Sequence, residues 1–187
     1  TWVRAKVILF ERHGVQFRPA DQTAVFGAAE IYSATYFTRR LGLPESEIPA
    51  IRHEYMDIVH ELFLEPVAVN PGATELIERL AGNVPVGLAS NTRRSLVDEV
   101  LANTPFCHRF DAITTGDDVE PKPAPDVYLL ACERLGVDPR TAVALEDSPF
   151  GVQAAKAAGM DCIGVPSDPD EPLDVADHVV RSLMELL

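Results

Sequence analysis

Short apolar runs that alternate with amphipathic stretches are the feature that most limits the folds open to this chain. Five runs have this character: Val3–Phe10, Val84–Ala89, Ala112–Thr115, Ala142–Leu145 and Cys162–Val165. Runs of this length that are apolar on both faces are typical of strands in a buried parallel sheet. Helical patterns lie between them, at Ala73–Leu80, Arg93–Leu101, Pro125–Leu135 and Gly151–Ala158. The alternation predicts an α/β fold with a doubly wound parallel sheet, whose first strand is Val3–Phe10.

Residues 18–69 differ from the rest of the chain because their patterning is helical throughout. Residues 21–41 and 47–63 carry apolar side chains at three- and four-residue steps, and a segment containing Gly42 and Pro44 separates them. We therefore predict a small insertion of two helices at residues 18–69, directly after the first strand. Residues 1–17 and 70–187 are expected to form the α/β core.

Composition excludes several classes of function. Lys and Arg number 16 and Asp and Glu number 29, which gives a formal net charge of −13. A surface this acidic repels a phosphate backbone, so no nucleic-acid partner is expected. No apolar run approaches the roughly 20 residues that cross a bilayer, so no membrane segment is predicted. Cys107, Cys132 and Cys162 lack paired spacing and are expected to be reduced thiols, which favours a cytoplasmic protein.

Polar side chains follow the predicted strands. In chain order they are Glu11 and His13, then Ser90 and Asn91, then Lys122, then Glu146 and Asp147. Ligands of such sheets bind beyond the carboxyl ends of the strands, where these residues would meet. Carboxylates suit Mg²⁺, and a hydroxyl and a lysine suit a phosphate group, so the set predicts a cation held against a phosphate. Two simpler interpretations stay open, because Ser90 with Asn91, or Glu146 with Asp147, could only cap the following helix.

Three segments of the sequence resemble motifs of the haloacid dehalogenase (HAD) superfamily. They are Leu88-Ala-Ser90-Asn91, Lys122-Pro-Ala-Pro-Asp126 and Glu146-Asp147-Ser148-x-x-Gly151. The resemblance is strongest to the branch of β-phosphoglucomutase-like and phosphoglycolate-phosphatase-like enzymes. It implies a Rossmann-like core with residues 18–69 as a shortened helical cap. It also implies that Ser90 and Asn91 bind the phosphoryl group, that Lys122 neutralises its charge, and that Glu146 and Asp147 hold Mg²⁺.

The first motif of the family departs from its usual form in this comparison. Relatives have Asp-x-Asp-Gly after the first strand, where this chain has Glu11-Arg12-His13-Gly14. The resemblance places Glu11 at the nucleophile position, where it could also bind the metal, and His13 at the acid/base position. The extra methylene of Glu11 would misplace its oxygen for in-line attack. The two residues could equally be remnants that carry no chemistry.

Two functions are compatible with these residues. One is an Mg²⁺-dependent phosphatase of a small phosphorylated metabolite, with Glu11, His13 and Lys122 as catalytic residues. The other is a catalytically impaired protein of the same fold, which binds a phosphorylated ligand or a protein partner without turnover. A shortened cap would leave an apolar face that a second subunit could cover, so the protein is expected to be a monomer or a homodimer.

Overall fold

A computed structural model describes residues 1–65, 68–167 and 173–187 of the chain. The chain divides into two compact units, Thr1–Val67 and Ala68–Leu187, which are described separately below. The first unit is helical and the second contains all the strands that the structure describes. No helix in the described ranges is both long and apolar enough to span a membrane.

The helical unit is built around a cluster of aromatic side chains. Its α-helices are α1 (Trp2–Arg12), α2 (Pro19–Val25), α3 (Glu30–Arg40) and α4 (Ile48–Phe63). Phe37 lies at the centre, with its ring centroid 5.6 Å from that of Phe10 and 5.1 Å from that of Tyr55, both edge-on. Such edge-to-face pairs add about 0.5–1.5 kcal/mol each to the effect of burial. Three helices, α1, α3 and α4, are therefore joined through one side chain.

The prediction that Val3–Phe10 is a strand is wrong, because these residues belong to helix α1. The buried positions of the segment are Ala5, Lys6, Leu9 and Phe10, which recur at the four-residue spacing of one helix face. Val3 is 49% exposed, as expected for a position off that face. A short apolar run is ambiguous between a strand and a helix, and here packing against α4 decides in favour of the helix.

The end of α1 explains the glycine that suggested the family's first motif. Gly14 has a φ of 68°, the left-handed conformation that commonly follows a helix. The amide of Gly14 donates to the Glu11 carbonyl at 3.0 Å, and the amide of Val15 donates to the Phe10 carbonyl at 2.9 Å. Gly14 therefore terminates a helix, whereas the resemblance placed Glu11 and His13 after a strand.

The predicted division of the chain also needs correction at its first boundary. Residues 1–17 belong to the helical unit and not to the α/β core. The second boundary lies after residue 67, close to the predicted one after residue 69. Within residues 18–65 the structure has three α-helices, α2, α3 and α4, so the expectation of two helices is wrong, while the shortened length of the cap stays a prediction. The cause is that residues 21–41 were predicted as one helix, whereas α2 ends at Val25 and α3 begins at Glu30.

The second unit has the predicted alternation of helices and parallel strands. In chain order it contains α5 (Ala73–Leu80), β1 (Gly87–Ser90), α6 (Arg94–Ala102), β2 (Ala112–Thr115), α7 (Asp126–Leu135), β3 (Val143–Glu146), α8 (Pro149–Ala157), β4 (Asp161–Gly164) and β5 (His178–Val179). β1 pairs with β2, and β3, β4 and β5 pair in that order, all in parallel. Among the described strands, β1 and β3 each have a neighbour on one side only. The prediction of a parallel α/β fold is confirmed.

Helix α7 connects the two sheets of this unit. It packs against β1, β2 and α8, and its buried face includes Val127, Tyr128 and Cys132. These side chains share one apolar core with Ala144 of β3 and Cys162 of β4. Helix α7 thus packs against β1 and shares this core with β3, and the residues that follow these two strands lie near it. All three cysteines are free, and Cys132 and Cys162 are buried.

A buried carboxylate in the helical unit gives a first testable prediction. Asp21 accepts hydrogen bonds from Tyr36 (2.7 Å), from Arg40 (2.9 Å) and from the Arg18 amide (2.8 Å). Burial acts to raise the pKa of Asp21, but these hydrogen bonds outweigh it and hold the pKa below its ordinary value of 3.8. Asp21→Asn should lower the free energy of unfolding by about 1–3 kcal/mol at pH 7.

The pH dependence of this effect follows from the direction of the shift. A carboxyl group with a lowered pKa in the folded state stabilises the fold above its unfolded pKa and loses that contribution as pH falls through the folded value. The stability difference between the wild type and Asp21→Asn should therefore be constant near neutral pH and shrink below about pH 4. Urea titrations at pH 7 and pH 3 measure it. An equal difference at both values would contradict this account.

Candidate active site

Four of the predicted site residues follow the parallel strands β1 and β3 directly. Ser90 is the last residue of β1 and Asn91 follows it, while Glu146 ends β3 and Asp147 follows it. Lys122 lies in the loop between β2 and α7. Lys122 contacts both Ala89 of β1 and Glu146 of β3, so the ends of these two strands lie close together, as the sequence predicted.

Lys122 and Glu146 form a buried ion pair between the two sheets. Their side chains are only 8% and 5% exposed, and the Lys122 ammonium contacts Oε1 of Glu146. The same ammonium donates to the Ala89 carbonyl of β1 at 3.0 Å. Two opposite charges removed from water must neutralise each other, because either one alone would carry a large desolvation cost. The predicted convergence of Lys122 and Glu146 is therefore present in the structure.

Tyr128 of α7 belongs to this cluster, although sequence reasoning did not identify it. Its hydroxyl donates to Oε1 of Glu146, and Lys122 Nζ lies 3.4 Å from the hydroxyl oxygen and 4.8 Å from the centre of the ring. Burial, together with the negative charge of Glu146, raises the pKa of Tyr128 well above its ordinary value, so the hydroxyl keeps its proton. A tyrosine on the buried face of a helix needs a polar partner, which is the signal that could have revealed it.

Asn91 contacts the backbone of Lys122 with both ends of its amide group. Its Oδ1 accepts from the Lys122 amide at 2.7 Å, and its Nδ2 donates to the Lys122 carbonyl at 3.2 Å. The loop after β2 comes close to Asn91, since a Cβ on Gly116 would lie 2.6 Å from the Asn91 carbonyl oxygen. The predicted phosphate ligand Asn91 thus holds the loop that carries Lys122.

Ser90 forms a local turn at the end of β1. Its Oγ accepts a hydrogen bond from the Thr92 amide at 3.1 Å, and the side chain remains partly exposed. Helix α6 is capped by another residue, because Asp117 accepts from the Arg94 amide at 2.6 Å. Capping of α6 therefore does not account for Ser90, whose hydroxyl proton is available to a ligand at this edge.

The acidic pair after β3 does not cap the helix that follows it. Ser148 is the N-cap of α8 and accepts from the Gly151 amide at 3.1 Å. The interpretation of Glu146 and Asp147 as a helix N-cap cluster is therefore wrong. Asp147 is exposed and accepts from the Ser167 hydroxyl at 3.1 Å. Crowding by surrounding protein atoms, and then the neighbouring Glu146 carboxylate, raise the pKa of Asp147 even though solvent reaches it.

The carboxylates of Glu146 and Asp147 repel each other, and a divalent cation would stabilise both of them. Glu146 Oε1 is occupied by Lys122 and Tyr128, while Oε2 has only a long contact of 3.4 Å with the Ser148 hydroxyl. The raised pKa of Asp147 indicates a negative charge that its surroundings do not stabilise. Hard carboxylate oxygens of this kind fit Mg²⁺. The described residues gather no cluster of three acidic, histidine or cysteine side chains, so this pair would be a partial ligand set.

Glu11 and His13 lie at the end of α1, in the helical unit. His13 Nε2 is 2.9 Å from a carboxylate oxygen of Glu54 on α4, and Arg12 is 3.7 Å from the other oxygen. No described strand carries Glu11 and His13 to the edge where Ser90 and Glu146 lie. The structure gives the pair a helical setting instead of the predicted strand end, and its roles as nucleophile, acid/base and metal ligand stay predictions.

Comparison with known proteins identifies the family. The family model described as haloacid dehalogenase-like hydrolase matches residues 2–165. The chain belongs to this family. The chain is 35% identical to the fructose-1-phosphate phosphatase YqaB of Escherichia coli over 117 residues, which cover 62% of each protein. The validoxylamine A 7'-phosphate phosphatase of Streptomyces hygroscopicus is 32% identical over 99% of this chain and 85% of its own length. The chain spans only 47% of the bifunctional riboflavin kinase/FMN phosphatase of Arabidopsis thaliana.

Solved structures of family members share the fold. The β-phosphoglucomutase of Clostridium difficile matches all of this chain and 85% of its own with a TM-score of 0.86, at 22% identity. CbbY of Rhodobacter sphaeroides, solved with phosphate, matches 99% of this chain and 88% of its own with a TM-score of 0.81, at 30% identity. The predicted membership of the HAD superfamily, in the β-phosphoglucomutase and phosphoglycolate phosphatase branch, is confirmed.

Proposed function

We propose that this protein is an Mg²⁺-dependent phosphatase that hydrolyses a small phosphorylated metabolite, with a phosphorylated sugar as the preferred class. The observation that carries the proposal is the buried ion pair of Lys122 with Glu146 at the end of β3, with Asp147 as the next residue in the chain. The named relatives support the reaction, since several are phosphatases of phosphorylated sugars or sugar-like compounds.

In the proposed site, the chain's own residues bind and orient the phosphoryl group. Lys122 lies at the strand ends with its ammonium held by Ala89 and Glu146, so its positive charge has a fixed place. The Ser90 hydroxyl would donate to a phosphoryl oxygen, and Asn91 would keep Lys122 in position through its backbone. Such preorganised donors stabilise charge that develops during transfer, which is the main way proteins catalyse this reaction.

Asp147 and Glu146 would hold the metal ion in this proposal. A bound Mg²⁺ supplies charge neutralisation and orientation for the transferred group. Without it the edge is unfavourable for an anion, since Lys122 is neutralised by Glu146 and Asp147 adds a further negative charge. The acidity of the pair therefore makes cation binding a condition for phosphate binding.

The alternative of an impaired enzyme is not supported. The named relatives favour turnover instead, since they are phosphatases. Nucleic acid is not proposed as a partner, because the net charge is −13. We propose a cytoplasmic location, which the unpaired spacing of the three cysteines favours, and we propose that the protein acts as a monomer or a homodimer.

Removal of the metal tests the proposed reaction. The protein should release inorganic phosphate from fructose 1-phosphate and from p-nitrophenyl phosphate when Mg²⁺ is present. Chelation with EDTA should reduce kcat/KM by about a hundredfold or more, since metal-ion catalysis is worth several kcal/mol. Added Mg²⁺ should restore the rate.

Two results would argue against the proposal. Phosphate release that continues unchanged after chelation would show that Asp147 and Glu146 do not serve a metal-dependent reaction. Failure to release phosphate from any of a panel of phosphorylated sugars, in a folded protein saturated with Mg²⁺, would reject the activity itself.

A further inference from the structure

The Lys122 ammonium already has three hydrogen-bond partners, which limits how it can bind a phosphate. The partners are the Ala89 carbonyl at 3.0 Å, Oε1 of Glu146, and the Tyr128 hydroxyl oxygen at 3.4 Å. An ammonium group has three donors, so a phosphoryl oxygen can be bound only if one of these contacts is given up. The contact with Tyr128 is the weakest, because it is long and its acceptor is uncharged.

Tyr128 is also the second donor to the oxygen that Lys122 contacts. Its hydroxyl and the Lys122 ammonium both donate to Oε1 of Glu146. A buried carboxylate with two donors on one oxygen depends less on either donor alone. The Tyr128 hydroxyl therefore stabilises the Glu146 carboxylate together with Lys122, so that the carboxylate depends less on the ammonium.

We propose that Tyr128 is a positioning residue for phosphate binding: its hydroxyl shares Glu146 with Lys122, and so allows Lys122 to turn one hydrogen from Tyr128 to a phosphoryl oxygen. This inference rests on the proposed phosphatase function. Tyr128 does not touch the ligand in this arrangement and acts only through Lys122 and Glu146. Loss of its hydroxyl frees one Lys122 hydrogen, but it also leaves Lys122 as the only described donor to Oε1 of Glu146. The ammonium is then held more firmly by that carboxylate and binds a phosphate less well.

Tyr128→Phe isolates the hydroxyl, because it keeps the ring that packs beside the Lys122 ammonium. The probe is inorganic phosphate, titrated calorimetrically into the protein at saturating Mg²⁺. We expect the Kd for phosphate to rise about tenfold, the effect of one hydrogen bond to a charged group. With p-nitrophenyl phosphate as substrate, KM should rise by a similar factor and kcat should change less.

The chain offers a matched control in the helical unit. The Tyr36 hydroxyl also donates to a buried carboxylate, that of Asp21, at 2.7 Å. Tyr36→Phe should lower the melting temperature and leave the Kd for phosphate unchanged. A second test uses Lys122→Met, in which Tyr128→Phe should have no further effect on that Kd if the hydroxyl acts through Lys122.

The outcomes separate the two levels of the proposal. If Tyr128→Phe lowers only the melting temperature and leaves both Kd and KM within twofold of the wild type, Tyr128 is structural and the inference is wrong. Additive effects of Tyr128→Phe and Lys122→Met would also overturn it. If the wild type neither binds phosphate nor hydrolyses the substrate, the proposed function fails and the inference fails with it.

Discussion

Replacement of Lys122 by methionine should lower kcat/KM by about a hundredfold to a thousandfold, the largest effect we expect from a single side chain. The lysine is the buried cation at the strand ends, and methionine keeps its volume without its charge. The same change leaves Glu146 as an uncompensated buried carboxylate, so the free energy of unfolding should fall by about 3–5 kcal/mol. Phosphate-release assays and urea titrations measure the two effects separately.

Two further variants separate loss of charge from loss of stability. Lys122→Met combined with Glu146→Gln removes both charges, so stability should recover in part while activity stays low. Lys156→Met is the matched control, because Lys156 pairs with Asp177 at 2.6 Å on α8, away from the strand ends. Full activity in Lys122→Met, or an equal loss in Lys156→Met, would show that Lys122 has no special role.

Gly151→Ala should disturb the site from a neighbouring helix, with the second largest effect. Gly151 is buried in the first turn of α8, and a Cβ at this position would overlap the carboxylate of Glu146. Alanine normally favours a helix over glycine, so any loss of stability must come from this overlap. We expect a loss of about 1–3 kcal/mol from overpacking. A shift of Glu146 by about an ångström should also reduce kcat/KM by about a hundredfold.

Gln153→Ala provides the comparison for this substitution. It makes a helix-favouring change on the exposed side of α8, two residues further along. Its activity and stability should equal or exceed those of the wild type. Wild-type activity in Gly151→Ala would mean that Glu146 can move without consequence, which would contradict its placement beside Lys122.

The sequence predicts the fold well where apolar runs alternate regularly with helical segments. The apolar runs that form β1 to β4 are separated by helices, so their parallel pairing was foreseeable. The meeting of Lys122 with Glu146 followed from that topology alone. The sequence showed Gly151 as part of a motif. Only the structure shows why glycine is needed there, because a Cβ would overlap the Glu146 carboxylate.

The error at the start of the chain has a physical cause. Val3–Phe10 contains enough apolar residues for a buried strand, and only its burial at Ala5 and Leu9 shows the helical period. Gly14 reinforced the wrong prediction of a strand, because a glycine is required both after a helix and in the family's first motif. The local sequence satisfied both interpretations, and packing against α4 distinguished them.

Side-chain direction explains the two remaining differences. Asn91 was correctly placed at the end of β1, but its amide faces the Lys122 backbone, which no spacing rule could indicate. Tyr128 has the position of an ordinary core residue of α7, and its polar end matters only because Glu146 lies within reach. Such partners come from different elements and are not encoded at any fixed separation.

The one-sided pairing of β1 and β3 has a consequence for handling this polypeptide. An unsatisfied row of amides and carbonyls recruits any extended backbone that meets it, including one from another molecule. On β3 that row is accompanied by Val143 and Leu145, which are 56% and 41% exposed. We therefore expect this strand to make the protein prone to intermolecular β-sheet growth. Replacement of Val143 and Leu145 by lysine should suppress this association.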